Sequence, residues 1–126
     1  MSILVVDDEA PVRAVVMAVL EDTHYDVIGA ANGPEAVACL RKNPSHFQLV
    51  LLDLMMPYMS GWDVLHAIQS HPTLAPIPVV IMTAGANVRQ QALDLGAAGY
   101  LPKPLDLDQL LDIAEQYYPH ERQAGS

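Results

Sequence analysis

The sequence predicts an α/β domain: a doubly wound parallel sheet of five strands with five helices covering both of its faces. Three observations carry that expectation. Short apolar runs alternate strictly with longer amphipathic segments from one end of the chain to the other. The short runs lack the apolar–polar alternation of a half-exposed strand, as expected when both faces of a sheet are covered. Glycine, proline and asparagine clusters mark the joints between runs.

Taken in order, Ile3 to Val6 is a continuous apolar run and predicts the first strand. Pro11 opens a helix to Leu20, with Val12, Val15, Val16 and Val19 at helical spacing. Tyr25 to Ala30 predicts strand two, and Asn32-Gly33-Pro34 turns the chain into a helix through Leu40. Phe47 to Leu52 is the third strand and runs directly into Asp53. Ser60 or Gly61 starts a helix carrying Trp62, Leu65 and Ile68 on one face. Ile77 to Met82 is the fourth strand, approached through the proline-rich stretch HPTLAPIP. A helix over Asn87 to Leu95 stops at Gly96, and Ala98 to Leu101 is a short fifth strand. The last helix spans Asp106 to Tyr118, with Leu107, Leu110, Leu111, Ala114 and Tyr118 on its buried face.

A chain of 126 residues, half of them apolar, suffices for one packed core. Residues 1–119 are expected to form it, with 120–126 as a polar tail. The formal charge is −9, from 15 acidic and 6 basic residues, and the only lysines are Lys42 and Lys103. No cationic stripe exists to neutralise several phosphates, which argues against direct nucleic-acid binding. The acidity serves solubility or steers a partner, and the sequence leaves both open. No apolar run approaches the roughly 20 residues that cross a bilayer. Met1 leads straight into a strand, with nothing resembling a signal peptide. A single cysteine, Cys39, rules out an intrachain disulfide and a cysteine-only metal site, and fits a reducing, cytoplasmic setting.

In open parallel sheets, ligands bind beyond the carboxyl ends of the strands, where the strand order reverses. Strand one ends in Asp7-Asp8-Glu9, strand three in Asp53 and strand four in Thr83-Ala84, while strand five leads to Lys103-Pro104. Read singly, each has a plainer account. Asp7 and Asp8 suit a helix N-terminus, Asp53 a loop, Thr83 an N-cap, and Lys103 open solvent. Together they bring three carboxylates, a hydroxyl and an ammonium to one rim. Clustered carboxylates repel one another, and a hard divalent cation relieves that cost. Mg²⁺ suits the set, because it keeps several waters and needs few carboxylate oxygens besides a phosphate. With charge drawn off an incoming phosphoryl group by the metal and Lys103, Asp53 is placed to attack it.

The blocks ILVVDDEAPVR, LVLLDLMMPYMSGWDVL, IPVVIMTA and GAAGYLPKP, in that order, make the chain resemble a response-regulator receiver domain over residues 2–118. The resemblance implies a flavodoxin-like sheet with strand order 2-1-3-4-5. It makes Asp53 the phosphoacceptor, served by a histidine kinase or phosphotransfer protein. Mg²⁺ would be held by Asp7, Asp8 and Asp53 with the backbone carbonyl of Met55, while Thr83 and Lys103 would contact the phosphoryl group. It implies a switch in which Thr83 moves toward the phosphoryl oxygens and Tyr100 rotates into the space left. The face of helix four, strand five and helix five would then change its affinity for a downstream protein or fused output domain. It also implies a cis bond at Lys103-Pro104.

Two departures stand out. Thr83 to Lys103 is 20 residues, shorter than the family pattern, which places the shortening in the loop after strand four or in helix four. Met55 and Gly85 flank the phosphoryl position where relatives often carry polar side chains, which implies slow self-dephosphorylation. Three other accounts compete. A phosphatase using an aspartyl phosphate would carry a second acid where Met55 stands. A constitutive interaction module would not need all five polar residues. The chain could equally be the receiver portion of a longer regulator. The five histidines show no ligand spacing. Arg13 reads as a solvated helix residue, Met55, Met56 and Met59 as loop packing, and Tyr117 and Tyr118 as packing of the last helix.

Overall fold

The computed structural model describes residues 1–85 and 88–117. Five parallel strands, β1 (Ser2–Val6), β2 (Val27–Ala30), β3 (Phe47–Asp53), β4 (Val79–Thr83) and β5 (Gly99–Pro102), form one sheet in the order β2-β1-β3-β4-β5. Helices α1 (Ala10–Asp22), α2 (Gly33–Lys42), α3 (Gly61–Ser70), α4 (Arg89–Asp94) and α5 (Leu107–Tyr117) alternate with them. A single 3₁₀ turn at Pro44–His46 precedes β3 and was not foreseen in the sequence. Among the described residues no helix is long and apolar enough to cross a membrane.

Alternate residues of each central strand face opposite cores, because successive side chains of a strand point to opposite faces. Leu4, Val6, Val50, Leu52, Val79 and Ile81 meet Leu40 of α2, Leu65 and Ile68 of α3, and Ala92 of α4. Ile3, Val5, Leu49, Leu51, Val80 and Met82 meet Val16 and Leu20 of α1 and Leu110 and Ala114 of α5. The inner strands β1, β3 and β4 are buried almost throughout, whereas the edge strands β2 and β5 are mostly half-exposed. Continuous apolar runs and a two-faced core are therefore one fact seen twice.

Helix starts follow local chemistry. Asn32 caps α2, its side chain accepting from the amide of Glu35. Ser60 and Asp63 form a reciprocal capping box on α3. Asp106 accepts from the amides of Asp108 and Gln109 ahead of α5.

Several boundaries depart from expectation. Tyr25 is buried but lies in a turn closed by its amide on the Leu20 carbonyl, after His24 at φ 71°, so β2 starts only at Val27. Ile77 is buried without being in a strand. It lies between Pro76 and Pro78, and its amide closes a turn on Leu74. Helix α4 has six residues, with Leu95 as its C-cap, so it starts and ends inside the expected span of Asn87 to Leu95. Asn87, Tyr118 and the 120–126 tail lie outside the described residues. Val15 and Leu107, both assigned to the core by spacing, are exposed. They line an apolar groove of about 360 Å³ with Val12, Val16 and Pro104, where α1 diverges from the segment leading into α5. Trp62 is half-buried against the core rather than inside it.

Among the described glycines, Gly61 has the closest approach to another stretch of backbone. A Cβ there would run into the carbonyl oxygen of Asp53 and lie 2.7 Å from Leu54 Cα. The start of α3 thus presses on the end of β3, and the Gly61 amide donates to the Leu54 carbonyl at 3.0 Å. Gly61→Ala is expected to lower unfolding stability by about 1–3 kcal/mol, because the obstacle is backbone and cannot rotate away. Urea denaturation measures this, and an unchanged midpoint would show that α3 shifts freely.

Candidate phosphoacceptor and divalent-cation site

Register brings the polar residues together. Val6 pairs with Leu52, so the next residues, Asp7 and Asp53, leave the sheet side by side where the strand order reverses. Thr83 pairs with Pro102, and the amide of the following Lys103 donates to the Thr83 carbonyl at 2.8 Å. The Lys103-Pro104 peptide is cis. Asp7 and Asp53 are 0% and 3% exposed, so both carboxylates are withdrawn from bulk water.

Lys103 supplies the counter-charge. Its Nζ donates to Asp7 Oδ2 at 3.0 Å and to Asp53 Oδ1 at 3.2 Å, with the exposed Glu9 carboxylate at 3.9 Å. The other Asp7 oxygen accepts from the Glu9 amide at 2.9 Å. Burial opposes the charge on Lys103, but its bond to Asp7 and the attraction of both carboxylates outweigh this and raise its pKa. Asp53 moves the other way from the usual buried ion pair. Desolvation, then the neighbouring Asp7 charge, push it from 3.8 to about 6, against the pull of Lys103 and of the Met55 amide.

One oxygen each from Asp7, Asp8 and Asp53 lies within 4.8 Å of the others. Asp8 Oδ1 is buried and, among the described residues, has no hydrogen-bond partner. An orphaned, buried carboxylate oxygen beside two other acids is costly unless a cation satisfies it. The donor set, all carboxylate oxygen, fits a hard divalent ion such as Mg²⁺.

Thr83 is buried, and its Oγ1 accepts from the Gly85 amide at 3.1 Å. It is no N-cap, since Val88 holds that position on α4. Tyr100 is half-exposed, and its hydroxyl donates to the Gly85 carbonyl at 3.1 Å. Gly85 therefore touches both side chains assigned to the switch. Met56 and Met59 pack against the core, as loop packing implies, whereas the Met55 side chain is 78% exposed and does not share that packing.

One residue was misjudged from sequence. Arg13 is half-buried rather than solvated, and its Nη1 donates to the backbone carbonyl of Asp7 at 2.7 Å. No residue pattern announces a side chain whose partner is a main-chain carbonyl.

The raised Asp53 value has a consequence for stability in metal-free buffer. The folded chain binds more protons than the unfolded one between the two pKa values, so the stability linked to protonated Asp53 is complete below the unfolded value of 3.8 and lost as pH rises through about 6. Asp53→Asn, which keeps the shape of the neutral acid, is expected to match wild type at about pH 4 and to exceed it by about 2–3 kcal/mol at about pH 7.5 in EDTA. Urea denaturation at the two pH values measures the difference, and one that does not change with pH would contradict the shift.

Comparison with known proteins agrees with this geometry. The family model described as the response regulator receiver domain matches residues 3–115. The transcriptional regulatory protein ZraR of Salmonella typhimurium is 39% identical over 127 residues, covering 98% of this chain and 28% of ZraR. The chain spans less than half the length of the curated relatives it matches first. Among solved structures, the chemotaxis response regulator CheY4 of Vibrio cholerae superposes with a TM-score of 0.84 at 30% identity, covering 92% of this chain and 97% of CheY4. The receiver domain of the sensor histidine kinase PA1611 of Pseudomonas aeruginosa gives 0.83 at 25% identity, covering 92% of this chain and 95% of its own, and holds a magnesium ion in its active-site cleft. Five parallel strands in this order, an acidic rim at the point of reversal and a family match over nearly the whole length lead to one conclusion: the chain belongs to the response regulator receiver domain family of two-component signalling.

Proposed function

We propose that the chain is a phosphorylation-driven signalling switch whose phosphoacceptor is Asp53. The observation that carries this reading is the convergence of Asp7, Asp8 and Asp53 on one point, with Lys103 bonded to two of the three. A carboxylate oxygen of Asp53 attacks the phosphorus of a donor, a histidine kinase or phosphotransfer protein. As the new O–P bond forms, the bond to the donor atom breaks and its electron pair leaves with the donor. Lys103 offsets negative charge on the transferred group, and the Thr83 hydroxyl donates to one of its oxygens. Asp7, Asp8 and Asp53, with the Met55 carbonyl, would hold Mg²⁺, which supplies further charge neutralisation for the phosphoryl oxygens. Self-phosphorylation and its reversal are the only chemistry assigned to the chain, and its setting is the cytoplasm.

The conformational readout runs through Gly85. Turning the Thr83 hydroxyl toward a phosphoryl oxygen takes it from the Gly85 amide, and Tyr100 is bonded to the carbonyl of that same residue. The Tyr100 hydroxyl already reaches this loop, so the coupling acts through the Gly85 backbone as well as through vacated space. A few kcal/mol of differential bonding suffices to invert such a population. The responding surface joins α4, β5 and α5, the face offered to a downstream protein or output domain.

Incubation with an acyl phosphate and Mg²⁺, followed by intact mass measurement, is expected to add one phosphate to wild type. EDTA or Asp53→Asn is expected to abolish it, and labelling of that variant at the wild-type level would refute the assignment. The flanking residues set the lifetime. Neither the thioether of Met55 nor Gly85 orients a water by a side-chain hydrogen bond, so the purified phospho-protein is expected to lose phosphate slowly. Release within seconds, followed by inorganic phosphate detection, would overturn that expectation.

A further inference from the structure

Arg13 lies on α1, at a position the valine spacing gives to solvent. Instead its side chain crosses β2. At Gly29 an added Cβ would lie 3.3 Å from Arg13 Cδ and 2.7 Å from Met17 Sδ, so the absence of a side chain there lets the arginine stem pass. The guanidinium then reaches the Asp7 carbonyl at 2.7 Å, within the short range of charge-assisted hydrogen bonds.

Asp7 is consequently held at every polar atom. Its amide donates to the Ala30 carbonyl at 3.2 Å, Oδ1 accepts from the Glu9 amide at 2.9 Å and Oδ2 from Lys103 at 3.0 Å. The fourth bond, to the carbonyl, comes from Arg13. That carbonyl belongs to the peptide joining Asp7 to Asp8. Fixing its direction fixes the backbone from which the Asp8 side chain departs, and Asp8 carries the buried, unpartnered oxygen.

Resting on the divalent-cation reading of this rim, we propose that Arg13 is a positioning residue for the cation site, presetting Asp8 by locking the Asp7–Asp8 peptide. Two cations then serve the rim differently. Lys103 touches the carboxylates and competes with a bound metal for their charge. Among the described residues, the guanidinium bonds a carbonyl and no carboxylate, so it orients the ligands without occupying them. Groups that hold metal ligands from outside typically change metal affinity by about 10–100-fold when removed.

The test is a calorimetric Mg²⁺ titration of the purified chain, wild type against two variants. Arg13→Met keeps an unbranched stem across Gly29 but has no donor. It is expected to weaken Mg²⁺ binding about tenfold or more, and to raise in parallel the Mg²⁺ concentration giving half-maximal phosphorylation of Asp53. Its unfolding midpoint in EDTA is expected to stay within a few degrees of wild type, which separates positioning from a general packing role. Wild-type Mg²⁺ affinity in Arg13→Met overturns the proposal, as does an affinity loss matched by collapse of the EDTA midpoint in a variant that still folds. Should Arg13→Met fail to fold, Arg13→Lys decides. With its charge and one donor kept it is expected to bind Mg²⁺ only a few-fold more weakly, and unaltered affinity overturns the proposal. Absence of Mg²⁺ binding by wild type overturns the site reading itself, an outcome distinct from intact wild-type binding with unaltered variants.

Discussion

Two carboxylates side by side, both withdrawn from water, constrain everything else in this molecule. Asp7 and Asp53 arrive there because β1 and β3 are neighbours in register, and the register is fixed by cores on both faces of the sheet. A slip of one residue would exchange side chains between the two cores and separate the pair. Burial first, and then the Asp7 charge, keep Asp53 above the ordinary carboxylate range despite Lys103. The fold holds in place an arrangement that the isolated side chains would avoid. Such local conflict, kept by a well-packed frame, is what a site that must take up new charge requires.

The frame and the moving parts divide along the same line. Besides Lys103, the acids are fixed by backbone-directed contacts: strand register, the Glu9 amide on Asp7, and α3 pressed on the Asp53 carbonyl at Gly61. On the proposed reading, a change would be read out through one residue. Gly85 bonds Thr83 on the site side and Tyr100 on the β5 side, and the helix that follows has only six residues.

How much of this was legible in the sequence follows from the same physics. The inner strands were legible because burial on both faces leaves continuous apolar runs, and the acids because they stand where those runs stop. The edges were not. Tyr25 and Ile77 are buried and apolar like strand residues, but a left-handed turn at His24 and prolines on both sides of Ile77 keep them out of the ladder. Helical spacing gave Val15 and Leu107 to the core, but spacing tells which residues share a face and not whether another element reaches that face. Here α1 and the segment before α5 diverge and leave a groove. The Tyr100 bond to Gly85 and the Arg13 bond to Asp7 were illegible for a common reason. Each ends on a backbone carbonyl, and every residue has one.

That last point bears on how such a site can be both rigid and responsive. A side chain bonded to Asp7 or Asp53 through their carboxylates must release or share its bond when the charge there changes. Lys103 is in that position, bonded to both acids at once. A bond to the Asp7 carbonyl leaves the carboxylate oxygens free, so it does not have to be given up when they take another partner. On the proposed reading, ligand geometry set by backbone-directed bonds would stay constant while the carboxylates gained a cation or a phosphoryl group.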